Sequence, residues 1–204
     1  SDDDIVSISR KLKLDIAVDL NGHTQNARTI IFSKRVAPIQ INFLGFPGTM
    51  GSNFYDYIIA DKFVIPEENK VFYNEKVLYM PDSYLINPSF RKVSNNKISK
   101  KSEGLPEKSF VFCCFNNSYK ILPNILEIWA NILHHVENSV LWLADTNPVA
   151  KKNLQCQFSK RNISNERIYF AKRLQKVEDH LERYKLADLF LDTFPFNAHT
   201  TACD

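Results

Sequence analysis

Four short runs in the second half of the chain are dominated by apolar residues: Phe110–Phe115, Val140–Ala144, Arg167–Ala171 and Ala187–Leu191. Apolar runs of this length without alternation suit strands covered on both faces. Between them the spacing turns helical. After Pro123, the residues Ile125, Ile128, Trp129, Ile132, Leu133 and Val136 follow i, i+3, i+4 steps and give one apolar face. Further helices are expected over Val149–Lys160 and Val177–Lys185. Strands alternating with helices in this order predict a doubly wound parallel sheet with right-handed crossovers. Ligands of such sheets collect at the carboxyl ends of the strands, so function is sought in the loops that leave them.

The first half repeats the pattern less clearly. Ile5, Ile8 and Leu12 predict a helix over Asp4–Lys13, capped by the aspartates. Asp15–Leu20 reads as a strand, Asn21–Thr24 as a turn, and Ala27, Ile30 and Ile31 restart helical spacing. His23 in that turn is either a cleft residue or a solvent-exposed loop histidine. Ile39–Leu44 is the next expected strand and runs into Gly45-Phe46-Pro47-Gly48-Thr49-Met50-Gly51, which holds three of the five glycines. The spacing is not a dinucleotide fingerprint and lacks the P-loop lysine. Such a loop either makes a tight connection or lets a ligand approach the backbone. Pro66 is expected at the first turn of a brief acidic helix, and Lys76–Met80 reads as a strand. From Pro81 to Lys108, Pro, Asn, Ser, Lys and Arg dominate and periodicity is lost. The expected division is a first lobe over 1–83, a linker over 84–107 and a second lobe over 108–204.

Basic residues exceed acidic ones by only 26 to 23, too small a margin to argue for nucleic acid. No apolar run is long enough for a bilayer. The acidic Ser1–Asp4 start is unlike a secretory leader. The four cysteines have neither disulfide-framework nor zinc spacing, so Cys113 and Cys114 are read as small buried side chains and the compartment as the reducing cytoplasm. The start without Met and the end inside a helical pattern read as an internal piece of a longer chain.

Two loops carry the chemistry, Asn116–Lys120 and Asn197–Asp204. A helix starting at His199-Thr200-Thr201, capped by Thr or Asp, would offer N–H donors and two hydroxyls to a diphosphate. Asp204 could accept from a ribose. An ordinary capped helix with a surface histidine is the alternative. If the two loops are neighbours, Lys120 supplies a point charge for the diphosphate, and Asn117 and His180 supply hydrogen bonds to a base or sugar. Otherwise Lys120 is a surface lysine. No DxD-like pair stands in a loop to clamp a metal. These residues suggest a nucleotide-sugar transferase, with the glycine-rich loop closing the cleft; a metal-independent mechanism would put more weight on Lys120 and the helix dipoles.

The runs DLNGHT (19–24), RVAPIQ (35–40), FLGFPGTMG (43–51), YIIAD (57–61), FCCFNNSYKI (112–121), SVLWL (139–143) and LADLFLDTFPFNAHTTACD (186–204) resemble the catalytic region of the O-GlcNAc transferase family, in order over nearly the whole chain. Bacterial members with tetratricopeptide repeats upstream look most similar. The resemblance implies an α/β GT-B fold of two Rossmann-like lobes, both incomplete in this chain. It implies inverting, metal-independent transfer of N-acetylglucosamine from UDP-GlcNAc to Ser or Thr of acceptor proteins, with no cofactor, nucleic acid or membrane involved. Lys120, beside Tyr119, is implied to bind the diphosphate and support its departure. His199, Thr200, Thr201 and Asp204, in the loop opened by Asn197, are implied to hold diphosphate and ribose. His180 is implied to contact uridine, and Leu44 and Gly45 to lie against the sugar.

The chain departs from the family in places. Asn117 replaces a glutamine of the animal enzymes, Phe196 a small cysteine near the donor's acetyl group, and His23 a tyrosine. The family's lysine near uracil aligns with Val177, beside Lys176. The residues proposed to handle the acceptor's proton lie upstream of Ser1, so the isolated chain is expected to be inactive. The alternatives are another donor, either UDP-glucose or the GDP-fucose used by plant Spindly proteins, and a non-catalytic nucleotide-sugar-binding scaffold.

Overall fold

The computed structural model describes residues 1–88 and 90–204. Two compact units divide the chain, Ser1–Ile86 and Asn87–Asp204. Of the expected linker, Ser89 lies outside the described residues.

The first unit opens with helix α1 (Asp2–Leu12). Its cap is Ser1 rather than the aspartates. The Ser1 hydroxyl accepts from the Asp4 N–H while the Asp4 carboxylate accepts from the Ser1 backbone nitrogen. Strands β1 (Ile16–Asp19), β2 (Ile39–Asn42), β3 (Tyr57–Ala60) and β4 (Lys76–Tyr79) pair in sequence order, all parallel. Helix α2 (Thr29–Ser33) crosses from β1 to β2. Val6, Ile31 and Val36 form one small core, and Ile58, Ala60 and Ile65 another. The brief acidic helix is a 3-10 helix, Glu67–Phe72, and Pro66 precedes it instead of sitting in its first turn. Gln40 is fully buried, yet its amide accepts from Val36 N and donates to the carbonyls of Phe32 and Phe54. A satisfied buried amide of this kind fixes where the chain turns before β2.

The second unit has strands β5 (Phe110–Cys114), β6 (Ser139–Ala144), β7 (Ile168–Ala171) and β8 (Leu189–Phe190) in the order β7-β6-β5-β8, all parallel. Helices α3 (Pro123–His135), α4 (Pro148–Ser159) and α5 (Val177–Arg183) are the crossovers. The central strands alternate between two cores. Phe112, Cys114, Leu141 and Leu143 pack with Trp129, Leu133 and Phe158 of α3 and α4. Val111, Cys113, Val140 and Trp142 pack on the other face with Leu105. Burial raises the thiols of Cys113 and Cys114 to about 12 and about 11, so both stay protonated and act as small apolar side chains, as expected.

Two further expectations need correction. Ala187–Leu191 is not a buried strand: β8 has two residues and Leu189 is 51% exposed. Among the described residues β8 pairs only with β5 and lies at the edge of the sheet. Arg167 is not a strand residue either. It ends a 3-10 helix (Asn165–Arg167), and its guanidinium donates to the carbonyls of Leu133, Val136 and Ser139. Residues 90–107 hold no helix or strand, yet Leu105 is buried in the second unit's core.

Candidate donor-binding site

In the first unit, Leu44 takes a left-handed backbone (φ 72°) just after β2. A Cβ on Gly45 would stand 2.3 Å from the Asn21 carbonyl oxygen, so the two loops touch backbone to backbone. The glycine-rich loop is pinned from several sides. Asn42 Nδ2 donates to Gly48 O, Tyr73 OH to Pro47 O, and the buried Glu75 carboxylate accepts from Met50 N and Thr49 Oγ1. His23, without an assigned role in the sequence, sits 3.1 Å from Thr49 O through Nε2. Asp19 holds the facing turn by accepting from the N–H groups of Asn21 and Gly22 and from Tyr55 OH. Because the neighbour of Gly45 is backbone, Gly45→Ala should cost about 2 kcal/mol of stability, read by urea denaturation. An unchanged midpoint would show that the two loops can separate freely.

In the second unit, β5 and β8 are adjacent, with Phe112 opposite Leu189 and Cys113 opposite Phe190. The loops leaving them therefore emerge side by side. Lys120 ends a 3-10 helix (Ser118–Lys120), and its Nζ donates to Asn197 O at 2.9 Å. The ammonium also lies 3.9 Å from the Phe196 ring centroid. Burial pulls its pKa down, opposed by the Asp192 carboxylate.

Two residues that the sequence reading left without a site role tie these loops together. Asn116, 3% exposed, donates to Asp192 Oδ1 and Thr193 Oγ1 and accepts from Thr201 Oγ1 at 2.6 Å. Asp192 also accepts from Thr193 N, Ala198 N and Asn197 Nδ2. The helix α6 (Thr200–Cys203) follows, with His199 at its N-cap. The expected threonine or aspartate cap is not made: His199 holds the cap position without a side-chain cap, Thr200 and Thr201 lie inside α6, and Thr201 Oγ1 donates to Asn116. Burial, then the Lys120 charge, lowers the His199 pKa.

At the far end of α6, the Asp204 side chain is 6% exposed, paired with Arg91 at 2.5 Å and 3.7 Å from His180 Nε2. His180 packs against Phe115 (5.7 Å between centroids) and Tyr184 (5.2 Å). Burial lowers its pKa, so near neutral pH the ring serves as a neutral donor and acceptor. A cleft of about 480 Å³ opens beside it at the carboxyl ends of β5, β6 and β7, lined by Asn117, Thr146, Leu174, Gln175 and His180. That volume suits a small organic ligand. The exposed Tyr119 ring lies 6.3 Å from Phe196.

Thus the second unit gathers Lys120, Asn197, His199, Thr200 and Thr201 at one loop cluster. Asn117 and His180 line the adjoining cleft, and Asp204 stands behind His180. Leu44 and Gly45 belong to the first unit. Among the described residues no three His, Cys, Asp or Glu side chains group as a metal site, and no helix is long and apolar enough to cross a membrane.

A sequence profile of glycosyl transferase family 41 matches residues 8–97 and 90–204. The chain belongs to glycosyl transferase family 41. Over its full length it is 38% identical to an Arabidopsis thaliana protein described as a probable UDP-N-acetylglucosamine–peptide N-acetylglucosaminyltransferase, SEC, of which it covers 21%. A Petunia hybrida protein of the same description, SPINDLY, is 31% identical over 98% of this chain and 22% of that one. Among solved structures, a mutant of Thermobaculum terrenum O-GlcNAc transferase superposes with a TM-score of 0.84 at 27% identity, over 98% of this chain and 38% of that one. The chain thus spans about a fifth of the length of these curated relatives. The family 41 chain has the expected α/β GT-B fold, with two parallel sheets that form part of the catalytic region.

Proposed function

We propose that this chain is part of a protein O-GlcNAc transferase, a glycosyltransferase that moves N-acetylglucosamine from UDP-GlcNAc to Ser or Thr hydroxyls of proteins. One observation carries the reading: the Lys120 ammonium and the His199–Thr201 turn lie together at the carboxyl ends of adjacent parallel strands. There a diphosphate would meet a cation, backbone N–H groups and hydroxyls. The uridine would occupy the cleft beside His180 and Asn117.

In the inverting reaction, the acceptor oxygen forms its bond to the anomeric carbon from the face opposite the departing diphosphate. The bond from that carbon to the β-phosphate oxygen breaks, and its electron pair leaves with UDP. Lys120 and the N–H groups at the start of α6 stabilise the growing charge, which makes the transfer independent of metal and cofactor. Leu44 and Gly45, on the pinned glycine-rich loop, are assigned to the sugar. The proton of the acceptor hydroxyl is assigned to no residue of this chain. The four free cysteines fit a reducing cytoplasm.

Phe196 favours a second reading. Its ring packs against the Lys120 ammonium, at a position where the resemblance implies a small side chain near the donor's acetyl group, which keeps UDP-glucose and GDP-fucose open as donors. Competition in the full-length protein separates these. UDP should inhibit GlcNAc transfer at least about tenfold more strongly than GDP. Equal or stronger inhibition by GDP would favour the fucose donor, and transfer from UDP-glucose in preference to UDP-GlcNAc would favour glucose.

A further inference from the structure

Asp204 stands at the end of α6 with its side chain almost out of solvent. A carboxylate so placed must be neutralised or carry a counter-charge. Its partner comes from far away in sequence. Arg91 Nη1 meets Asp204 Oδ1 at 2.5 Å, and the Arg91 side chain is itself 23% exposed. The second oxygen, Oδ2, faces His180 Nε2 at 3.7 Å, beyond hydrogen-bonding distance. One oxygen is therefore held by a fixed cation while the other keeps its accepting capacity next to the cleft histidine.

The segment that carries Arg91 is fastened to the helix that carries His180. Ser94 N donates to Glu178 O at 3.1 Å, and Asn96 Nδ2 to Asp179 Oδ1 at 2.9 Å. Glu103 pairs with Arg183 at 3.1 Å, with the arginine side chain 3% exposed. Glu178, Asp179 and Arg183 all lie on α5, and Ser94, Asn96 and Glu103 all precede β5 in the chain. The stretch expected to be a plain linker is thus a strap over α5.

We propose that Arg91 is a positioning residue for the nucleoside end of the donor: by holding Oδ1 it orients Asp204 so that Oδ2 can accept from a ribose hydroxyl beside His180. The proposal rests on the donor site described above and adds a residue to it. Without Arg91, the buried carboxylate loses its counter-charge and the contact that fixes its rotamer, so Oδ2 is no longer held towards the ribose. The planar guanidinium holds Oδ1 through Nη1 in a fixed direction better than a point charge could, yet lysine still supplies the charge.

The test uses the full-length protein and two probes, UDP and inorganic pyrophosphate, in calorimetric titrations. Arg91→Met should weaken UDP binding roughly tenfold, the size expected for a charged hydrogen-bonded contact, and leave pyrophosphate binding within about twofold. The KM for donor should rise with kcat little changed. Arg91→Lys should recover most of the affinity. Arg91→Met combined with Asp204→Asn should be little worse than Asp204→Asn alone, because the two act as one unit. UDP affinity unchanged in Arg91→Met, or lost equally for UDP and pyrophosphate, overturns the proposal while leaving the donor site intact. A parental protein that binds neither probe overturns both.

Discussion

Lys120→Ala in the full-length protein should lower GlcNAc transfer from UDP-GlcNAc by roughly 100-fold or more. The ammonium is half-buried, held by Asn197 O and packed on the Phe196 ring. Burial already disfavours its charge in the free protein, and the Asp192 carboxylate only partly offsets this. A departing diphosphate would supply the missing negative charge at the moment it forms. An interaction that strengthens in the transition state is lost mainly from kcat, so kcat and kcat/KM should fall together. A rise in KM alone would assign Lys120 to ground-state binding. The variant should fold normally, because a single hydrogen bond and one ring contact are removed from a partly exposed position.

Phe115→Ala should cost about 3 kcal/mol of stability, measured by chemical denaturation of the full-length protein. Phe115 follows β5 and is 7% exposed. Its ring meets Trp142 edge-on at 5.1 Å between centroids, Tyr184 at 5.0 Å and His180 at 5.7 Å. Trp142 is fully buried and cannot move to fill the space, so truncation leaves a cavity. His180 loses its floor at the same time, so UDP binding should weaken in any Phe115→Ala protein that remains folded. Phe115→Leu should recover most of the stability and less of the affinity. A cost below about 1 kcal/mol would mean that the cluster collapses around the gap.

Apolar periodicity made most of this fold legible. β5 and β6 are buried on both faces and therefore carry uninterrupted apolar runs, and α3 shows its buried stripe through Ile125, Trp129 and Leu133. β8 misled because its apolar run marks a sheet edge. Apolar content reports a preference for burial, while pairing on both sides depends on neighbours that the local pattern does not encode. The placement of Lys120 near His199 was inferable from strand alternation together with the resemblance of the two loops to the family. Asn116, Asp192 and Arg91 were not. Asn116 meets Thr201 across 85 positions, and Arg91 meets Asp204 across 113. A polar loop residue carries no periodic signal, so only the fold reveals its partner. The caps failed for a related reason, since Ser1 and the aspartates are all competent caps and three-dimensional geometry decides among them.

A crystal structure of the full-length protein with UDP tests the central claim most directly. The β-phosphate should lie within hydrogen-bonding distance of Lys120 Nζ and the N–H groups of Thr200 and Thr201, with the uracil beside His180. A nucleotide bound elsewhere, with Lys120 Nζ still donating to the Asn197 carbonyl, would contradict the account.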